Sequence, residues 1–538
     1  MPKKAPFTQS KCAFEVIFNA APPSAAVAKQ PPMTLSPTVK PVPVRTPNIR
    51  QKPSVTRLIA LLLVSIASLT GARCFAQSSV DISLPELGDG SSGLISLQQE
   101  HRLGRIWLMA FRNQIDVQND PLLQTYLEQF VYDLASYSEL KDRRLEIILI
   151  NNPTINAFAV PGGVIGVNTG LFHYAENESE FGAVLAHELA HLSQRHYARA
   201  VEAQKRAALP TMAGLLAGIL LASTGGGDAG MATIAATQAA NLQSQLRYSR
   251  LHEQEADRIG MQTLIAAHMD PNSMAQMFEN MLQTQRYAGT RPPEFLLTHP
   301  VTESRINDAR NRARQLPREV HTDSLDYQLM RIRAEVLQNN DKKTARDTIE
   351  AQTKASPSSS EANRYGLALA YIGTGQLDKA QQSLAPLVER RPNSIPYVIA
   401  QANIYLAAGK TKEGIKTLDN LLLLNPGNHP LTMALSHAYL ATGQAPLAEK
   451  LLEEHSKRRP NDPSVWYLLA ETYGLSGNIL GVHQARAEYF VLNGVLDKAI
   501  QQLNYALPMV ENNPATAAKI QGRIQQITDL RAQLDAMH

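Results

Sequence analysis

Apolar residues recur at helical spacing over Ser96–Asn113 and again over Pro121–Leu140, predicting two amphipathic helices. The period then shortens. Leu145–Ile150 reads as a strand, and Ala157–Val160 and Val164–Val167 read as two short strands around the tight turn Pro161-Gly162-Gly163. Helix begins again at Leu171–Ala175, and Ser179–Glu202 is predicted as one long helix, apolar through Phe181-Gly182-Ala183-Val184-Leu185-Ala186. Positions 207–240 are dominated by Ala, Gly, Leu, Ile and Met with the single charge Asp228, and their two halves, split by Thr224-Gly225-Gly226-Gly227, are each too short to span a bilayer. The reading is a helical hairpin near the site, with a peripheral membrane contact or a substrate lid as the alternative. Helix resumes near Leu242 and covers Leu251–Ala267; a loop at Arg291-Pro292-Pro293 leads to Thr298-His299-Pro300 and a charged helix to about Leu316.

The last two hundred residues repeat. Gly375, Gly409, Gly443 and Gly477 recur every 34 positions, as do Tyr371, Tyr405, Tyr439 and Tyr473, and Pro392, Pro426 and Pro460. Ala368, Ala402 and Ala470, with Ser436, keep a small position where helices pack closely. A 34-residue period is that of tetratricopeptide units, two antiparallel helices each, stacked into a solenoid. A weaker unit is expected over 324–357, and Gly494–Ala499 echoes Gly375–Ala380 out of phase, so one unit is irregular.

The chemistry is concentrated in His187-Glu188-Leu189-Ala190-His191. On a helix, histidines at i and i+4 share a face and both imidazoles reach one metal ion, while the glutamate between them is placed as a general base. Burying two imidazoles and a carboxylate in so apolar a helix is costly unless they are used together. A catalytic site needs a third protein ligand. In His252-Glu253-Gln254-Glu255-Ala256-Asp257-Arg258-Ile259-Gly260, the residues Glu253, Asp257 and Gly260 share a helical face and Glu255 points away. Glu253 is therefore favoured as ligand, with Glu255, His252 and His196 as the alternatives. Asp257 would hold a ligating imidazole, Gly260 would let the two helices approach, and His196, nine residues after His187, is expected on the other side of its helix in a structural role. Ala157, Phe158, Ala159 and Val160, or else Val164–Val167, offer a strand edge for an extended peptide. Arg305 is expected to stabilise an oxyanion or hold the His299 loop.

Composition sharpens the setting. At 538 residues the chain needs more than one domain. Its net charge of +4 conceals a leader: residues 1–76 carry ten Lys/Arg and one acidic residue, leaving −5 on the rest, which argues against nucleic acid as a partner. Lys52 and Arg57 precede the apolar run Leu58–Leu69, which ends in Cys74-Phe75-Ala76, the pattern of a secretory signal cleaved before Gln77. Arg73 argues against lipoprotein processing at Cys74. Both cysteines, Cys12 and Cys74, precede that cut, so a mature chain would have neither thiol nor disulfide and its metal site must be built from His and carboxylate.

His187–His191, the Glu253–Gly260 block, Asn156-Ala157-Phe158-Ala159 with Pro161-Gly162-Gly163, and Thr298-His299-Pro300 followed by Glu303-Ser304-Arg305 resemble the HtpX-like zinc endopeptidases. With the signal and the repeats, 80–538 is most similar to the periplasmic branch of that family concerned with outer-membrane β-barrel assembly. The resemblance implies one Zn²⁺ on His187, His191 and Glu253, with His299 as a fourth, autoinhibitory ligand. It implies a mainly α fold: a zincin-type helical metalloprotease domain with a small β-sheet over 77–320, then an α-solenoid of tetratricopeptide repeats over 321–538. Misassembled outer-membrane proteins are the implied substrates, and the β-barrel assembly machinery the implied partner of the repeats. A mainly non-proteolytic chaperone or adaptor acting through the repeats is the alternative. The spanning helices of the membrane-embedded relatives and the carboxy-terminal cysteine pair of others have no counterpart here.

Overall fold

Asp120 accepts a hydrogen bond from the Leu123 amide at 3.0 Å and Pro121 occupies the first helical position, so the helix Pro121–Ser136 begins where both residues favour a start. The helix before it, Leu97–Arg112, opens with a reciprocal cap between Ser96 and Gln99. The computed structural model describes residues 96–204, 227–287, 294–316, 323–339, 341–355 and 361–535. The basic leader and the signal lie outside them.

The sheet has the order β1-β3-β2, with β1 Glu146–Ile150, β2 Ala157–Val160 and β3 Val164–Asn168. β3 runs parallel to β1 and antiparallel to β2, and is buried along its whole length. Of the two strands that offered an edge, only β2 is one. Asn168 N donates to Asn156 O at 3.0 Å, which makes Phe158/Gly166 and Val160/Val164 the bonded pairs, so the backbone groups of Ala157 and Ala159 point away from β3.

Behind the sheet lies the histidine helix, Glu178–Ser193, buried from Glu180 to Ala190 and capped by Asn177. It is shorter than its sequence suggests. Arg195 takes φ +50°, the helix stops, and a separate helical stretch runs over 196–204. The Arg195 guanidinium is drawn to the buried Glu100 at 2.9 Å, a partner 95 residues away that no local pattern reveals.

The glutamate helix, Gly227–Ala266, starts fifteen residues before the expected Leu242, so 227–240, the second half of the expected hairpin, is helical and continuous with it. Residues 205–226, the rest of that expected hairpin, lie outside the described residues. Among those described, no helix is long and apolar enough to cross a membrane. At Gly260 the glutamate helix meets the histidine helix so closely that a Cβ there would sit 3.0 Å from His187 N. Asn272–Tyr287 follows, then the short Glu294–Thr298, which brings His299 into place, and the charged helix Glu303–Arg314 capped by Thr302.

From Leu325 the chain is helical pairs. Leu325–Gln338 with Lys342–Ala355 forms the weaker first unit, and four regular pairs follow from Glu361 to Leu492. The glycines that mark the period sit between paired helices at φ +73° to +81° with open space around them, so backbone conformation and not crowding selects them. Leu496–Ala506 departs from the period and Pro514–Asp535 closes the stack.

The peptidase and repeat parts share one continuous core that runs from Leu122 to Ala438. Tyr327 is fully buried, donates to Ala175 O at 2.9 Å and packs its ring against Phe172 and Phe181. Arg333 makes a two-pronged pair with Asp120, and Arg459 another with Glu128 across 331 residues of sequence. The expected boundary at 320/321 falls in a stretch outside the described residues.

Candidate metal centre

Four side chains from three segments converge. His187 and His191 stand one turn apart on the histidine helix, Glu253 comes from the glutamate helix, and His299 follows the short Glu294–Thr298 helix. One ligand atom from each lies within 4.8 Å of all the others. Nε2 of His187 is 3.1 Å from Nε2 of His191 and 3.5 Å from Oε2 of Glu253. Nδ1 of His299 is 3.4 Å from His187 Nε2. The donors are imidazole nitrogen and carboxylate oxygen with no sulfur, and they are spaced to share one ion.

Glu188 is buried beside them. Its Oε1 makes no hydrogen bond among the described residues and has His299 Nε2 at 3.6 Å, while the Ala159 amide on β2 donates to the carboxylate. Burial raises its pKa. Burial alone would depress His187, but the Asp257 and Glu253 carboxylates raise it to about 9. Burial and the neighbouring His187 hold His191 well below the ordinary range, as a neutral imidazole. Glu253 stays far below the usual carboxylate range in spite of burial, because His187 and His299 face it.

Asp257, one turn beyond Glu253, has its Oδ1 3.0 Å from His187 Nδ1. Arg305 grips the same carboxylate with Nε at 2.7 Å and a terminal nitrogen at 2.6 Å, reaches Glu253 Oε2 at 3.0 Å and donates to Pro300 O at 2.8 Å. It stands behind the candidate ligands and ties the His299 loop to them.

A cleft of about 270 Å³ opens on the centre, lined by Ala159, Glu188, His191, Tyr197 and His299 among others. The strand residues divide: Phe158 and Ala159 line the cleft, the Phe158 ring lying over Gly166 and edge-on to Trp107 and Phe111; Val160 packs on Leu108, Ile148 and Val164; and Ala157, expected to touch substrate, is fully buried in the core.

Residues 121–313 match the model of Peptidase family M48, and 405–472 match a tetratricopeptide repeat model. The chain is 35% identical over 88% of its length, and 96% of the relative's, to the "Beta-barrel assembly-enhancing protease" of Escherichia coli (strain K12). It belongs to that protease family. A "Putative beta-barrel assembly-enhancing protease" of Vibrio cholerae is 38% identical over 83% of this chain and 92% of its own. The "Mitochondrial metalloendopeptidase OMA1" of Schizosaccharomyces pombe is 28% identical over 39% of this chain and 60% of its own. This member of the β-barrel assembly-enhancing proteases is a metal-dependent endopeptidase carrying tetratricopeptide repeats.

Two residues set aside in the sequence belong beside the centre. His196, expected on the far side of the histidine helix, is buried with its Nδ1 2.9 Å from His191 Nδ1. Glu255, expected in solvent, has its Oε2 3.2 Å from His196 Nε2. The His196 expectation assumed an unbroken histidine helix; the reversal at Arg195 brings His196 back, and that supplies Glu255, on the face turned from Glu253, with a partner. A positive φ at a non-glycine leaves no mark in the hydrophobic pattern, so no sequence signal was available.

Proposed function

We propose that this chain is a periplasmic zinc endopeptidase, with residues 1–76 as leader and signal, 77–320 as protease domain and 321–538 as repeat domain. The observation that carries the reading is the convergence of His187, His191, Glu253 and His299 within 4.8 Å, with Glu188 buried alongside. A Zn²⁺ on His187, His191 and Glu253 would supply a Lewis acid and a water of lowered pKa.

The chain's own groups do the rest. Glu188, whose Oε1 is left without a hydrogen bond, takes the proton of the attacking water and hands it to the departing amine. An extended substrate lies along the outer edge of β2 and bonds to the carbonyl of Ala159, because Ala157 is fully buried and the Ala159 N–H serves Glu188; a backbone contact gives little preference for side chains. Asp257 and Arg305 hold His187 and Glu253 in position. Arg305 is turned toward Asp257, Glu253 and Pro300, so its role is positioning and not oxyanion stabilisation. His299 completes the ligand group in the closed state and must leave for a substrate to enter.

The names of the relatives tie the family to β-barrel assembly; on this reading misassembled outer-membrane β-barrel proteins are the substrates and the barrel-assembly machinery is the partner of the repeats. The shared core with the peptidase part supports repeats that present substrate to the centre as one rigid body with it.

The test is metal content together with cleavage of an unfolded outer-membrane β-barrel protein. The purified chain binds one zinc, and Glu188→Gln keeps it while losing about 10²–10⁴-fold in cleavage rate. A chain that binds no metal, or a Glu188→Gln variant that cleaves at the wild-type rate, defeats the reading.

A further inference from the structure

His191 has two ring nitrogens and only one of them faces the ligand group. Its Nε2 is 3.1 Å from His187 Nε2, while its Nδ1 is 2.9 Å from Nδ1 of His196. Nε2 of His196 is in turn 3.2 Å from Glu255 Oε2, and Arg199 donates to that same oxygen at 2.9 Å. His252 lies flat against His196, with 4.1 Å between ring centres and 8° between planes. His196 is 4% exposed, so its own ring is shielded from bulk water, while Glu255 and Arg199 at the end of the row are half-buried.

The protons in this row can be assigned from its ends. A carboxylate only accepts, so Nε2 of His196 carries the hydrogen that goes to Glu255. Nδ1 of His196 is then bare and accepts from His191 Nδ1–H. That leaves the Nε2 lone pair of His191 directed at the ligand group, the tautomer a metal ligand requires. His187 is served in the same way by Asp257, directly and at 3.0 Å.

We infer that His196, anchored by Glu255 and Arg199, is a positioning residue of the metal centre that fixes the tautomer and ring plane of His191 and strengthens it as a donor. The inference rests on the reading of His191 as a ligand. It gives the two imidazoles of one helix different supports: a carboxylate against His187, and an imidazole relaying a carboxylate against His191. Groups that orient a ligating imidazole commonly contribute 10–100-fold to metal affinity.

The experiment measures zinc affinity of the full chain by chelator competition, alongside thermal unfolding of the metal-free form. His196→Phe keeps a flat ring against His252 but has no nitrogen, and its zinc affinity falls by about 10–100-fold while the metal-free melting temperature holds. His196→Gln can accept from His191 through its carbonyl and donate to Glu255 through its amide, so it recovers part of the loss. Glu255→Gln weakens zinc binding less than His196→Phe does, and it reports on the row even where His196→Phe does not fold. Wild-type affinity in His196→Phe, or in Glu255→Gln where His196→Phe does not fold, overturns the inference. So does an equal loss in His196→Phe and His196→Gln, because packing would then explain both. Absence of zinc binding in the wild-type chain is a different result: it overturns the metal-centre reading itself.

Discussion

Nδ1 of His299 lies 3.1 Å from Oε1 of Glu253. That contact closes the proposed ligand group with a residue from a loop, and the loop is tied down by Arg305 through Pro300 O at 2.8 Å. His299→Ala should therefore raise the initial rate of cleavage of an unfolded protein, on the order of tenfold if the closed form is favoured by about 1.4 kcal/mol. An unchanged or lower rate, in a variant that melts like the wild type, would remove the gate.

Arg305 is 5% exposed and compensates two carboxylates at once. Arg305→Ala leaves Asp257 and Glu253 buried without their cation and should cost about 3–5 kcal/mol of metal-free stability in denaturant unfolding. Arg305→Lys should recover only part, since a single ammonium cannot reproduce the two-pronged grip on Asp257. Full recovery by lysine would show that charge alone matters there.

His429 and His455 form a buried pair in the repeats, with Nδ1 of one 2.9 Å from Nε2 of the other and Asp462 and Arg459 alongside. Burial, then the positive charge of Arg459, lowers His455 to about 4, and burial likewise depresses His429. Both are neutral in the folded chain, whereas the unfolded chain binds protons on them below about 6.5. Their contribution to stability is thus intact above pH 6.5 and is lost as pH falls from 6.5 toward 4. The melting temperature should drop over that window, and His429→Gln with His455→Gln should flatten the drop. An unaltered acid slope in the double variant would rule the pair out as its source.

Gly494 has φ +70°, and a Cβ on it would lie 2.7 Å from Met109 O, where the repeats touch the first peptidase helix. Gly409 has φ +75° and nothing within 4 Å. Gly409→Ala should cost about 1 kcal/mol for the backbone alone. Gly494→Ala should cost more, because the helix Leu97–Arg112 must also shift, and limited proteolysis should detect its loosening. Equal costs would mean that the contact yields freely.

The sequence determined by itself what depends on spacing along one helix. His187 and His191 share a face because they are four apart, Glu253 and Asp257 for the same reason, and the 34-residue period places the repeat helices. Only the tertiary structure decided what depends on partners far along the chain. Glu100 holds Arg195 in a left-handed turn, which swings His196 beneath His191; the order β1-β3-β2 leaves β2 as the edge; Glu128 meets Arg459 and welds the repeats to the peptidase part. Local pattern encodes which face of a helix is buried, whereas the pairing of one buried face or charge with another is set by packing across the whole molecule, where spacing along the chain carries no information.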